Sequence, residues 1–156
     1  DCKKYCYASK GAYIWSNVKP AFQRRLDATK QDNFPELMIA EILKLNASVI
    51  RIHDSGDFYS REYLHKWFKV MDSLPHIKFY AYSKSLPLFK GERLPDNFTL
   101  IKSIGGKRDD LIDITSDRHA RIFKTESELI ANGYANASNN DLVAIGNNLK
   151  IGLLSH

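Results

Sequence analysis

With 156 residues, 44% of them hydrophobic and 26% charged, the chain is long enough to bury the core of one domain and too apolar for a disordered one. No apolar run approaches the ~18 residues of a membrane span, and the first residues do not resemble a signal peptide; the expectation is a cytoplasmic protein with no membrane partner. The net charge of +5 is spread in short groups such as Lys3-Lys4, Arg24-Arg25 and Lys107-Arg108. This excludes an arginine-rich arm, reads first as a solvated surface, and leaves nucleic acid as the partner that a basic field would steer.

The chain opens on Asp1, without a methionine, and its only cysteines follow at once, Cys2 and Cys6. Thiols at this spacing can grip one metal centre from a single loop. A disulfide between them would close too short a loop to stabilise much. Structural zinc takes four ligands and iron–sulfur clusters usually three or four cysteines, so a further ligand is expected upstream. The other end, Ser155-His156, directly follows an apolar run. Residues 1–156 therefore read as one domain that is a fragment of a longer chain.

Val18, Phe22 and Leu26 recur at four-residue spacing and predict a helix starting near Pro20. Pro35 suits a first helical turn, and Leu37, Met38, Ile39, Ile42 and Leu43 give that second helix an apolar face ending near Asn46. Ser48–Ile52 is short and β-branched, a strand that runs into the polar turn His53-Asp54-Ser55-Gly56-Asp57. Ser60 then caps a helix with apolar Tyr63, Leu64, Trp67, Phe68 and Met71, supported by Glu62 and Lys66 and closed by Pro75. Ile77–Tyr82 and Phe98–Ser103 are the next strands, and 121–123, 142–145 and 150–154 are weaker ones, with 132–140 a surface loop. Strand, helix and strand in this order imply a right-handed crossover and a parallel sheet. The fold expected is α/β, a parallel-sheet, partial (β/α) TIM-like barrel.

Ligands of such sheets sit at the carboxyl ends of the strands. His53, Asp54, Ser55 and Asp57 all end one strand, with Gly56 among them for close backbone approach; four functional side chains in five residues are dense for a capping turn, the plain alternative. His53 and Asp54 read as an acid–base pair, or His53 as a metal ligand. Tyr82, Ser83 and Ser85 end the second strand and Ser103 the third, so the hydroxyls are expected around the same mouth. His119 reads as a structural histidine, and His65 and His76 carry no role. Gly105-Gly106-Lys107 lacks the spacing of a phosphate loop, and no G-x-S-x-G or H-E-x-x-H motif supports a hydrolase.

Two motifs, Cys2-Lys3-Lys4-Tyr5-Cys6-Tyr7-Ala8 and Ile50-Arg51-Ile52-His53-Asp54-Ser55-Gly56-Asp57-Phe58-Tyr59, resemble the phage "gene product 88" proteins. The element order in turn resembles radical S-adenosylmethionine enzymes, whose partial barrel holds a 4Fe-4S cluster on a three-cysteine loop. That resemblance implies Cys2 and Cys6 as cluster ligands and Ser55, Gly56 and Asp57 in place of the turn that holds the cofactor's amino group. It also implies Ser83 and Ser103 around the cofactor. The pattern departs at Ser9, where the standard motif would have its last thiol. The first function expected is thus a phage or mobile-element iron–sulfur enzyme acting on an unidentified substrate. The alternatives are a zinc-stabilised nucleic-acid-binding module and a metal-free α/β domain.

Overall fold

The structure is a computed structural model that describes residues 10–16 and 18–155. Its helices form where local chemistry places them. Helix α1 (Val18–Lys30) carries Pro20 in its first turn, where a missing N–H is harmless. Helix α2 (Phe34–Leu45) carries Pro35 likewise and stops at Asn46, whose left-handed backbone (φ 49°) suits asparagine. Helix α3 (Arg61–Ser73) starts where the Ser60 hydroxyl accepts from the Tyr63 N–H at 3.1 Å. One turn on, Glu62 meets Lys66 Nζ at 3.1 Å. That same ammonium donates to the carbonyls of Thr29, Lys30 and Gln31, tying the end of α1 to α3.

Strands β1 (Val49–Arg51), β2 (Lys78–Ser83), β3 (Phe98–Ser103), β4 (His119–Phe123), β5 (Ala135–Asn136) and β6 (Lys150–Leu154) make one sheet, ordered β1-β2-β3-β4-β6-β5. Every pairing is parallel. The sheet curls into a half-barrel, the partial (β/α) barrel that the strand–helix–strand order predicts. Among the described residues no helix is long and apolar enough to cross a membrane.

Strand alternation divides the side chains between two faces. On the helix face Phe79, Ala81 and Phe98 pack with Leu64, Trp67, Met71 and other residues of α2 and α3 in the larger core cluster. On the concave face Tyr80, Ile101, Ala120 and Ile151 form a smaller cluster with Ala137 and Ala144. The register pairs Tyr80 with Thr99, Tyr82 with Ile101, Ser103 with Ala120, and Ile122 with Leu153, which assigns every polar residue to one face or the other.

Three elements differ from expectation. Residues 142–145 are not a strand: Asp141–Ile145 is a 3-10 turn, started by the Asn140 side chain accepting from the Leu142 N–H and pressed onto the concave face through Val143, Ala144 and Ile145. The expected loop at 132–140 contains β5. A short helix α4 (Glu126–Ala131) follows β4, capped by the Thr125 hydroxyl on the Glu128 N–H.

Candidate functional site

The turn after β1 is held by its own carboxylate. Asp57 Oδ1 accepts from the Phe58 N–H at 2.8 Å and the Ser83 hydroxyl at 2.7 Å. Oδ2 accepts from the backbone N–H groups of Lys84 at 2.7 Å and Ser85 at 3.1 Å. A carboxylate has about four acceptor positions, and all four are filled. Asp57 therefore straps the β1–α3 loop to the carboxyl end of β2, and a ligand ammonium would have to displace one of these donors. Gly56 (φ 88°) supplies a left-handed backbone; an added Cβ would meet nothing within 4 Å, so the need is for conformation and not for close approach.

His53 and Asp54 do not act on each other. His53 takes a left-handed backbone (φ 63°), unusual for a residue other than glycine, and this breaks the strand alternation after Ile52. Its imidazole turns to the helix side, edge-on to Phe58 at 4.7 Å, with Nε2 at 2.9 Å from the Tyr63 hydroxyl. Burial pushes its pKa below the ordinary histidine value, and the Asp57 charge only partly offsets this. Nδ1 is buried with no hydrogen-bond partner among the described residues. Asp54 instead accepts a short hydrogen bond from the Tyr13 hydroxyl. The acid–base pair expected from the sequence is thus two side chains with separate partners.

Ser83 and Ser103 do not share a site either. Tyr82 stands opposite Ile101 and Ser83 opposite Lys102, so Ser83 lies on the helix face and Ser103 on the concave face. Ser83 is 1% exposed and committed to Asp57, whereas Ser103 is half-buried. Ser55 is half-buried in the β1–α3 loop. His119 is fully buried, with Nδ1 at 2.9 Å from the Asp117 carbonyl and Nε2 at 3.0 Å from the Tyr134 hydroxyl, which is the structural role expected of it. Cys2 and Cys6 lie outside the described residues. Among the described residues no three His, Cys, Asp or Glu side chains are grouped to hold a metal ion.

The concave face carries a cluster that sequence reasoning missed. Arg51 ends β1 on this face and donates from Nη1 to Asp141 Oδ2 at 2.6 Å, with its guanidinium 5.1 Å from the centre of the Tyr82 ring. The Tyr80 hydroxyl donates to the same carboxylate oxygen at 2.9 Å, and the Tyr82 hydroxyl to the other at 3.3 Å. Burial, then the Asp141 carboxylate, pushes Tyr80 up to about 12 and Tyr82 higher still, so both phenols stay protonated as donors. From below, Arg118 holds the same connection by donating to the carbonyls of Ala144, Gly146 and Asn148. The sequence signal was an arginine inside a β-branched strand, in phase with two tyrosines on the next strand.

A parallel half-barrel with a strapped loop at its carboxyl end and a polar cluster on its concave face defines a partial (β/α)-barrel protein. Residues 1–154 match the family described as Gene product 88, and the chain belongs to that family. It is 30% identical over 94 residues to the Gene 88 protein of Mycobacterium phage L5, a match covering 53% of this chain and 39% of that protein. The chain thus matches less than half the length of this curated relative. No solved structure matches it.

Proposed function

We propose that this chain is the core of an iron–sulfur enzyme of the radical S-adenosylmethionine kind, with Cys2 and Cys6 as ligands of a 4Fe-4S cluster and the carboxyl ends of β1–β3 as the reaction mouth. The observation that supports it most is the hydrogen bond from Tyr13 to Asp54, which ties the segment following the cysteines to the loop at the carboxyl end of β1. Cys6 precedes Tyr13 by seven residues, a reach of at most ~25 Å along the chain. The order of described elements that follows the cysteines in sequence, helices and then a parallel half-barrel, agrees with the reading.

The thiols suit iron–sulfur chemistry, which in this class supplies the electron for reductive cleavage of the cofactor's sulfonium. Asp57 does not suit the part that the resemblance implies, because its acceptor positions are filled by protein donors. No cofactor contact is assigned to it. In this proposal Asp57 and Ser83 set the shape of the mouth and Tyr13 and Asp54 set the position of the cysteine segment.

The test is iron and sulfide analysis, with an absorption spectrum, of the protein purified without oxygen. The expected result is iron and sulfide in near-equal amounts and a broad band near ~400 nm that bleaches on reduction, lost in Cys2→Ala and Cys6→Ala. Zinc without iron would replace this reading by a zinc-stabilised module, with salt-dependent nucleic-acid binding as its sequel. Absence of any metal would overturn both.

A further inference from the structure

On the concave face Arg51 has hydrogen-bond donors to spare. Of the five N–H groups of Arg51, only one, on Nη1, donates to a protein acceptor among the described residues. The side chain is 36% exposed, so the rest of the guanidinium is open to solvent. Its orientation is set on two sides: Asp141 fixes one edge and the Tyr82 ring lies within stacking distance of it. Asp141 is itself held by two tyrosine hydroxyls, so the pair is anchored and not a floating surface contact.

We propose that Arg51 anchors an oxyanion, the carboxylate or phosphate of a small molecule, beside the Asp141 and Tyr82 side chains on the concave face. A guanidinium fixed along one edge meets an oxyanion with its remaining parallel N–H groups, a bidentate geometry that lysine lacks. Pre-setting the side chain through Asp141 and Tyr82 removes much of the ordering cost of binding. The inference deepens the function proposed above by giving its substrate an oxyanion, and it rests on that reading only for calling the ligand a substrate. Binding at Arg51 does not require iron.

The test uses phenylglyoxal, which modifies accessible arginines, on the full chain, with modified positions mapped by peptide mass spectrometry. Arg51 is expected to react, and benzoate or inorganic phosphate, at ionic strength matched with sodium chloride, is expected to slow it at least threefold. Arg24 and Arg25, exposed on α1, serve as internal controls and are expected to react at unchanged rates. Protection by benzoate alone identifies a carboxylate ligand and protection by phosphate a phosphoryl ligand; either supports the proposal. Equal rates at Arg51 with and without both anions overturn it. Arg51→Lys is the companion variant: a thermal shift by the protecting anion equal to that of the wild type would likewise overturn the bidentate anchor. Iron content read on the same samples keeps failure of this inference distinct from failure of the cluster.

Discussion

Replacing Asp57 by asparagine separates a strap from a ligand grip. In one amide orientation the new NH2 group faces the N–H groups of Lys84 and Ser85; the Lys84 N–H loses its acceptor, while the Ser85 N–H keeps the Ser83 hydroxyl at 3.1 Å. In the other it faces the Ser83 hydroxyl, which can turn to accept, and the Phe58 N–H, which cannot. Either orientation leaves one backbone N–H unmet, worth about 1–3 kcal/mol, and turns the remaining bonds from charged to neutral ones at a further ~0.5–1 kcal/mol each. The expected loss is about 3–5 kcal/mol, out of a typical domain stability of about 5–15 kcal/mol. Urea unfolding followed by tryptophan fluorescence and circular dichroism would measure it. Ser83→Ala should lose about 1–2 kcal/mol, and the double variant less than the sum, because the two side chains share one bond. If Asp57→Asn lost under ~1 kcal/mol, the strap argument would be wrong and the carboxylate would return as a candidate ligand group.

Three further outcomes follow from the packing. The Asn97 side-chain amide donates to the carbonyls of Met71, Leu74 and Ile77, closing the end of α3; Asn97→Ala should cost about 1–3 kcal/mol in urea unfolding, and Asn97→Asp more, since a carboxylate would face three carbonyls. A Cβ on Gly152 would lie 2.4 Å from Cγ and Cδ1 of the fully buried Leu129, so Gly152→Ala should destabilise by about 1–3 kcal/mol, and a Leu129→Ala background should remove most of that increment. His53 has its folded pKa pushed below the unfolded value, so the unfolded chain binds the extra proton first: the stability tied to its neutral ring is complete above about pH 6.5 and is lost as pH falls below that. His53→Asn keeps a residue that tolerates the left-handed backbone, and its melting temperature should fall less than that of the wild type between pH 7 and pH 5; parallel profiles would contradict the assignment.

Much of the scaffold was legible because its signals are local. The Ser60 cap and the four-residue apolar spacing of α3, and the first-turn prolines of α1 and α2, act within one or two turns of chain. The segment around Leu142 misled because an apolar run suits either a strand or a buried turn, and the Asn140 cap that decides the matter is a single side chain. Helix α4 was missed because it is only six residues long, although Thr125 followed by Glu128 at the fourth position is a recognised helix start. Site geometry was less legible than the scaffold. Whether Ser83 and Ser103 face each other depends on register between strands, which pairs Tyr82 with Ile101 and sends the two hydroxyls to opposite faces. The turn of His53 toward Phe58 depends on one positive φ that no composition signals.

That division of faces changes which residues bear on function. The groups that stand out in the sequence, His53, Asp57 and Ser83, turn toward the helix layer and hydrogen-bond to it or to each other, so their removal should appear first as lost stability. Arg51 looked like one charged residue in an apolar strand, yet it stands on the concave face with most of its donors open. Variants of the two sets should therefore have opposite signatures. Asp57→Asn should lower the unfolding midpoint whether or not an anion is present, because its bonds are all internal. Arg51→Lys keeps a cation able to reach Asp141 and should unfold close to the wild type, while losing the bidentate geometry toward an added oxyanion. Anion-dependent melting of the two variants, compared side by side, would show which face of the sheet carries the chemistry.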